Sequence, residues 1–423
     1  MSAATSVCNL TIYCILVAIY LSAHSFSHSA DLPMNDDRVM LQGFYWESMR
    51  HNFGPKPIGD KRWYEIVIDA APQIQEARFD MVWMPPPSDA GPYDEGYGPQ
   101  QLFLLANSYG TAEMHRAALA ALYKAGAEPV ADIVINHRNG TEGWAKFKFP
   151  EWGPWAICKN DEAFYHDDSE LKGLPEAERG QSETPEDGYE GYRDIDHSNI
   201  QVRKDIVKYL RYLKSFGYRG WRYDMVTRFD GKWIAVYNRE TNPTFSVGEY
   251  WEHKDFAQLR GWIWSTATKP EAEGNEHLAT CSSAFDFPGQ MLLGDNKGKY
   301  EAWYAHQNGI GLTTDNTDGL LWRNRTVTFL ENHDTAYHTE KVSGKHKDSS
   351  ADDFSKGWEV EQAYAYILTH PGVPCVFWKH YFDWGKDLQS RIKALINARK
   401  VAGIHAASYI HTQDLARKKG VYG

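Results

Sequence analysis

Short apolar runs recur along the chain, and several of them end in a polar or charged residue. Eight of these runs predict β-strands, at residues 39–44, 81–84, 129–136, 220–226, 246–251, 283–287, 326–331 and 375–378. Segments with helical periodicity lie between the strands, most clearly at 65–77, 115–125 and 201–216. Eight strands that alternate with helices predict an α/β fold, a parallel (β/α)8 TIM barrel.

The alternation stops between residues 138 and 193, where Gly, Pro, Trp and acidic residues mix without a repeat. A connection of about 55 residues is much longer than the usual two to six. We therefore expect a small inserted domain at 138–193, which divides the barrel into 31–137 and 194–400. Residues 401–423 begin a different unit, which we expect to be the start of a truncated C-terminal β domain.

The first 30 residues contain no Lys, Arg, Asp or Glu and include an apolar run at 12–21. A run of about ten apolar residues is too short to span a bilayer comfortably, and small and polar residues follow it. We expect a signal peptide at 1–30 and a secreted, extracellular protein, with an uncleaved anchor as the alternative. Three of the five cysteines lie beyond this leader, so at most one disulfide can form within the chain.

Composition and charge narrow the class of partner. The 423 residues carry a net charge of −11, which argues against nucleic acid as a partner but not against a neutral polymer. The chain has 16 Trp and 25 Tyr, and aromatic rings offer flat apolar faces on which sugar rings stack. We expect a monomer that binds a glycan and has no contact with a membrane once the signal peptide is removed.

Three acidic residues stand at the ends of predicted strands. Arg222 and Asp224 are two residues apart, so in a strand their side chains face the same side and can meet. Alone, this pair could be a structural ion pair inside the sheet. Glu249 and Asp334 also end strand-like runs, and the strand ends of a parallel barrel open onto one face. Because three gathered acids repel each other, this arrangement indicates an active site.

Four stretches resemble the signature motifs of the α-amylase family, glycoside hydrolase family 13. They are 132–137 (DIVINH), 220–224 (GWRYD), 248–251 (GEYW) and 329–334 (FLENHD), and they occur in the family's order and at its spacing. The stretches 41–46 (LQGFYW), 83–87 (WMPPP) and 370–375 (HPGVPC) are similar to plant α-amylases and to bacterial maltotetraose-forming amylases. The likeness extends from about residue 39 to about residue 404, and it implies the same barrel.

Glycoside cleavage requires one carboxylate that attacks the anomeric carbon and one acid that protonates the leaving oxygen. Asp224 suits the first role, and Glu249 suits the second because its apolar neighbours and the nearby acids disfavour its charged form. The resemblance assigns the same two roles and adds Asp334 as the residue that stabilises the transition state. It further implies four substrate-binding residues, Tyr97, His137, Arg222 and His333.

The resemblance also implies a bound Ca²⁺ ion. Its predicted ligands are Asn136, Asp187 and Asp194, with the backbone carbonyl of Arg228 as a further one, and calcium prefers oxygen ligands of this kind. Ordinary turn chemistry in loops is the alternative explanation of these residues. The chain departs from the family pattern at Thr227 and Arg228, where Lys followed by His or Gly is usual. The resemblance implies that residues at those positions touch the leaving-group sugars, so the departure bears on the product pattern.

The sequence thus predicts a secreted, calcium-dependent α-amylase that hydrolyses internal α-1,4-glucosidic bonds of starch or glycogen with retention. An exo-acting, maltooligosaccharide-forming amylase or a transglycosylase is the alternative within the family. A catalytically inactive glycan-binding relative is a third reading, and the presence of all three acids argues against it.

Overall fold

Eight parallel strands close into a barrel, which confirms the predicted (β/α)8 TIM fold. The computed structural model describes residues 35–51, 60–92, 94–185, 191–297, 309–314, 318–336 and 357–410. In order around the barrel the strands are β1 (Met40–Gln42), β2 (Met81–Met84), β3 (Glu128–Ile133), β6 (Gly220–Tyr223), β7 (Phe245–Gly248), β8 (Ser283–Phe285), β9 (Thr326–Thr328) and β10 (Val373–Phe377). The order of the strands around the barrel is thus their order along the chain, and β10 pairs with β1 to close the ring.

Helices connect the strands. Within the described residues they are α1 (Trp63–Glu76), α2 (Ala112–Lys124), α3 (Ile200–Phe216), α4 (Gly231–Thr241), α5 (Phe256–Ser265), α6 (Gly274–Ala279), α7 (Phe287–Asp295), α8 (Gly357–Thr369) and α9 (Lys386–Ala402). The side chain of Asn199 accepts hydrogen bonds from the amides of Gln201 and Val202, so it caps α3. Gly217, with φ near 140°, ends the same helix. No helix in the described part of the chain is long and apolar enough to cross a membrane.

Strand register brings charged residues of different strands side by side inside the barrel. β3 and β6 pair so that Asp132 lies beside Arg222, and β6 and β7 pair so that Arg222 lies beside Val247. All residues of β6 and β7 are buried, as expected for strands covered on both faces. The register of the barrel strands therefore determines which residues lie beside Arg222, without any contribution from the loops.

The connection between β3 and α3 contains a short two-stranded sheet, which we call the neck. In it β4 (His137–Arg138) runs antiparallel to β5 (Arg193–Asp194), and His137 pairs with Asp194. The described residues between the two strands include short 3₁₀ turns, among them Pro154–Ala156 and Glu162–Phe164. The division of the chain into an inserted domain, a barrel and a C-terminal unit stays a prediction.

The predicted fourth strand, 220–226, is too long. β6 ends at Tyr223, and Met225 adopts a left-handed conformation with φ 42° and ψ 53°. Val226–Arg228 then forms a 3₁₀ turn. A left-handed residue cannot continue a strand, so the chain turns directly after Asp224. The alternation of faces that a longer strand would impose therefore does not apply to Thr227 and Arg228.

The three cysteines beyond the leader are buried free thiols. They are Cys158, Cys281 and Cys375, so the one disulfide that the sequence allowed is not formed within the described residues. The predicted signal peptide and most of the predicted C-terminal unit lie outside those residues.

Replacing Gly248 with Ala should destabilise the fold. A Cβ atom at Gly248, the last residue of β7, would come within 2.1 Å of the Trp262 ring. Overpacking of this kind costs about 1–3 kcal/mol, so thermal unfolding should show a Tm several degrees lower. The control is Gly261→Ala on the neighbouring helix α5, where a Cβ meets nothing within 4 Å and helix propensity predicts equal or higher stability. Equal Tm values for the two variants would contradict this packing.

Candidate active site

One buried guanidinium contacts three carboxyl groups at the carboxyl end of the barrel. Arg222 Nη1 lies 2.7 Å from Asp132 Oδ1 and 2.7 Å from Asp224 Oδ1. Arg222 Nη2 lies 2.5 Å from Glu249 Oε1. The Arg222 side chain is fully buried, and those of the three acids are at most 7% exposed. The predicted meeting of Arg222 and Asp224 on one face is confirmed, and the geometry brings Glu249 to the same cation.

The local backbone explains how these groups converge. Arg222 lies in β6, Asp224 follows it by two residues, and Glu249 is the first residue after β7. The left-handed turn at Met225 points its amide back at the site, where it donates to Glu249 Oε2 at 3.2 Å. The amide of Val226 donates to the Glu249 carbonyl at 3.1 Å. The ends of two neighbouring strands are thus joined directly behind the acids.

Burial raises the pKa of Glu249 well above its usual range. The Arg222 guanidinium opposes this shift, while the negative charges of Asp224 and Asp334 add to it. A carboxyl group in this environment keeps its proton at a pH where a free glutamic acid has lost it. Glu249 can therefore donate a proton, as the sequence predicts.

Asp132 is a member of this cluster that the sequence analysis did not single out. Trp83 Nε1 and Tyr97 Oη each donate to Asp132 Oδ2 at 3.0 Å. Burial raises the pKa of Asp132 to about 7, against the lowering effect of Arg222. The available signal was an acidic residue within a strand that is otherwise apolar. Such a residue requires a buried partner on a neighbouring strand.

A chain of hydrogen bonds connects Asp132 to His333. The Tyr97 hydroxyl, which donates to Asp132, also lies 2.6 Å from His333 Nε2. Because the single phenolic proton points to Asp132, His333 donates from Nε2 to the phenol oxygen and accepts from Gln42 Nε2 at Nδ1, 2.9 Å away. His333 Nε2 also lies 3.3 Å from Asp334 Oδ2. The side chain of Asp334 is 34% exposed, so it borders the open part of the site.

Three rings beside these acids are nearly parallel. The planes of Trp46 and Tyr97 are inclined by 8°, those of Tyr97 and His333 by 8°, and those of Trp46 and His333 by 16°. Their centroids are 5.2–5.8 Å apart. Parallel rings suit the apolar face of a sugar ring. Tyr97 was predicted from the sequence as a substrate-binding residue, whereas Trp46 was not predicted.

His137 lies at the neck, next to Tyr97. Its Nε2 lies 2.7 Å from the Tyr97 carbonyl oxygen, and its ring stacks on Tyr192 with centroids 5.2 Å apart. Burial lowers the pKa of His137, which favours the neutral ring. A neutral His137 that donates from Nε2 holds the backbone of Tyr97 in place.

The structure brings two of the three predicted calcium ligands together. Asn136 Nδ2 lies 3.3 Å from Asp194 Oδ1, whereas Asp187 lies outside the described residues. Arg228 Nη1 lies 3.3 and 3.4 Å from the two carboxylate oxygens of Asp194. Within the described ranges, no group of three or more His, Cys, Asp or Glu side chains could hold a metal ion.

The surroundings of Asp194 do not suit a calcium ion. Calcium takes six to eight oxygen ligands, whereas the Asp194 carboxylate faces N–H groups of Asn136 and Arg228 and the hydroxyl of Thr184. Burial raises the pKa of Asp194 to about 7, and the charges of Asp161 and Glu162 add to the shift. Calcium binding by this chain stays a prediction, and no step below is derived through it.

The α-amylase catalytic-domain family model matches residues 64–378 of the chain. The chain is 30% identical over 388 residues to a probable α-amylase 2 of Arabidopsis thaliana, which covers 88% of this chain and 82% of the relative. It is 29% identical over 389 residues to a glucan 1,4-α-maltotetraohydrolase of Roseateles saccharophilus, which covers 88% of this chain and 63% of the relative.

A solved structure of an α-amylase from Geobacillus thermoleovorans, complexed with acarbose, has the same fold. It superposes with a TM-score of 0.59 at 16% identity, over 86% of this chain and 79% of the other. The fold, the four motifs and the family match agree with one another. The chain belongs to the α-amylase family of glycoside hydrolases.

Proposed function

We propose that this protein is an α-amylase that hydrolyses internal α-1,4-glucosidic bonds of starch or glycogen and retains the anomeric configuration. The observation that carries the proposal is the shared guanidinium, since Arg222 contacts both Asp224 and Glu249. Carboxyl groups of retaining glycosidases lie roughly 5–5.5 Å apart, and those of inverting enzymes lie farther apart to admit a water. Two acids that share one guanidinium favour the shorter separation.

The proposed reaction has two steps. In the first, the Asp224 carboxylate attacks the anomeric carbon while Glu249 gives its proton to the departing glycosidic oxygen, which leaves a glycosyl ester on Asp224. In the second, the ionised Glu249 takes a proton from water, and the water oxygen displaces Asp224 from the sugar. Both carboxyl groups return to their starting states, so one water is consumed for each bond broken.

The remaining site residues are proposed to bind and orient the substrate. Asp334, which is partly exposed, faces the open site and would accept hydrogen bonds from hydroxyls of the reacting sugar. Tyr97 and His333 would stack on or donate to that sugar, and His137 would hold the Tyr97 backbone and contact a hydroxyl. Arg222 keeps both reacting carboxyl groups oriented.

A second candidate is an exo-acting amylase that releases maltooligosaccharides, and a transglycosylase is a related one. Two observations support these candidates. The chain is similar to a maltotetraohydrolase, and it departs from the usual family residues at Thr227 and Arg228. A catalytically inactive glycan-binding protein is the weakest candidate because the three acids Asp224, Glu249 and Asp334 are all present. Chromatography of the products from long starch chains separates these candidates, since an endo enzyme yields mixed lengths from the first minutes.

We also propose that the protein is secreted, since residues 1–30 resemble a signal peptide, and that it acts as a monomer. Its proposed partners are α-glucans, namely starch, glycogen and maltooligosaccharides. Calcium is predicted by family resemblance alone.

Asp224→Asn and Glu249→Gln should each lower kcat on starch by at least about 1,000-fold, because each removes a group that acts in the transition state. Each amide keeps the shape of the side chain, so thermal unfolding should still show a folded protein. A glycosyl fluoride separates the two roles because fluoride needs no proton to leave. Glu249→Gln should therefore recover the first step on maltosyl fluoride, seen as a burst of released fluoride, whereas Asp224→Asn should not. Recovery by Asp224→Asn, or by neither variant, would contradict the assignment.

Proton NMR of the first-formed product should reveal the α-anomer, because two displacements at the anomeric carbon restore its configuration. The spectrum must be recorded before mutarotation equilibrates the anomers. A β-anomer in the early spectra would indicate inversion and would exclude a glycosyl ester on Asp224.

The pH dependence of kcat/KM should reflect the raised pKa of Glu249. The first step requires the protonated acid, so activity is present below this pKa and is lost as the pH rises through it. The rate on a natural glucan should therefore stay level through the ordinary glutamic acid range near 4.3 and decline only well above it. The matched measurement uses maltosyl fluoride, on which this alkaline decline should be weaker. A decline centred on the ordinary range would contradict the proton-donor role.

Thr227→Lys should improve turnover of maltotetraose and maltopentaose more than turnover of starch. Thr227 lies in the 3₁₀ turn after the proposed nucleophile and lines a pocket of about 530 Å³ together with Lys232 and Trp233. A lysine could reach the leaving-group sugars, and short substrates depend more on each contact than long ones do. Comparison of kcat/KM on both substrate classes measures the effect. Equal gains on both classes, or none, would indicate that another residue already supplies this contact.

A further inference from the structure

The turn after Asp224 carries an arginine whose side chain reaches the neck. Because β6 ends at Tyr223, the turn Val226–Arg228 directs the Arg228 guanidinium to Asp194. Nη1 lies 3.3 Å from Asp194 Oδ1 and 3.4 Å from Oδ2. The two side chains are 8% and 7% exposed, so the ion pair is almost entirely buried.

We propose that the Arg228 guanidinium neutralises the Asp194 carboxylate, a role that the family resemblance assigns to calcium. The turn after the proposed nucleophile is then joined to the neck without a metal ion at Asp194. The proposal concerns how the fold is held together. It does not depend on which bonds the enzyme cleaves.

The charges of the neck explain why Asp194 requires a cation. Asp161 and Glu162 lie nearby, and both contact Arg193, Asp161 through Nη1 at 3.1 Å and Glu162 through Nη2 at 2.7 Å. Arg193 contacts these two acids, and its charge also favours the ionised form of Asp194, but the guanidinium in contact with the Asp194 oxygens is that of Arg228. A third buried carboxylate without a cation would carry a large desolvation cost. The Arg228 guanidinium meets this requirement for Asp194.

The same contact excludes a calcium ion from this side of Asp194. A guanidinium and a divalent cation repel each other, and both would occupy the space in front of the two carboxylate oxygens. Arginine stays charged at every accessible pH, so its pairing with Asp194 needs no free ion in solution. The connection between turn and neck is therefore independent of the calcium concentration.

The test compares the Tm in chelator and in added calcium for the whole chain and for Arg228→Gly. Glycine removes the guanidinium and frees the Asp194 carboxylate and the backbone carbonyl at 228 for a metal. In chelator the variant should unfold roughly 5 °C below the unmodified chain, since losing one partner of a buried pair is costly. Added calcium should raise the Tm of Arg228→Gly by several degrees more than it raises that of the unmodified chain.

Two further variants control the experiment. Lys232→Ala removes a cation from the wall of the same pocket, where it is 58% exposed and pairs with Asp230, and its Tm should match the unmodified chain in both conditions. Asp194→Asn should keep whatever response to calcium the unmodified chain has, because no metal sits on Asp194.

Three outcomes would overturn the proposal. The first is an equal or larger calcium response in the unmodified chain than in Arg228→Gly. The second is a Tm of Arg228→Gly in chelator that equals that of Lys232→Ala. The third is a calcium response of the unmodified chain that disappears in Asp194→Asn, and this comparison holds even if the glycine variant cannot be purified.

Discussion

One buried guanidinium holds the reacting end of the barrel together. Arg222 is enclosed by carboxyl groups from β3, from the end of β6 and from the end of β7, and each is within 2.7 Å. Three acids and one base do not balance, so the repulsion among the acids favours protonation of part of the cluster. Burial raises the pKa of Glu249 and of Asp132, the charge of Asp224 adds to both shifts, and the Arg222 guanidinium opposes them. The proton that Glu249 would donate is therefore kept by burial and by the neighbouring acids, against the effect of the guanidinium.

Differences in surroundings separate the roles of otherwise similar acids. Glu249 is enclosed and receives the Met225 amide, whereas Asp334 is one-third exposed and contacts His333. Asp132 lies deepest and is held by Trp83 and Tyr97. An acid that is buried tends to keep its proton, and one that faces solvent is available to bind hydroxyls. The degree of burial thus distinguishes Asp334 from Glu249 and Asp132.

Much of this arrangement could be predicted from the chain alone. Strand periodicity identified the eight strands, and the two-residue spacing of Arg222 and Asp224 was sufficient to predict that they meet. The contact of Arg222 with Asp132 depends on the register between β3 and β6, which local patterns do not determine. The hydrogen bond from Gln42 to His333 joins residues 291 positions apart.

The direction of the Arg228 side chain could not be predicted from the local sequence pattern either. It depends on the left-handed conformation of Met225, and a non-glycine residue in that conformation has no reliable sequence signal. An alternating strand would have sent Arg228 to the opposite side from Thr227. The early end of β6 instead turns it toward Asp194. A one-residue change of backbone conformation thus decides which charges meet.

The neck fastens both ends of the insertion to each other at the carboxyl end of β3. Its two strands pair His137 with Asp194, and the amide of Ile195 donates to the Asn136 carbonyl, so both chain segments at the base of the insertion are bonded to each other. Arg138 adds bonds to the carbonyls of Gln100, Lys148 and Pro150. A base fastened in this way does not act as a hinge. The two chain segments that enter and leave the insertion are thus expected to move as one piece with the strand end from which they start.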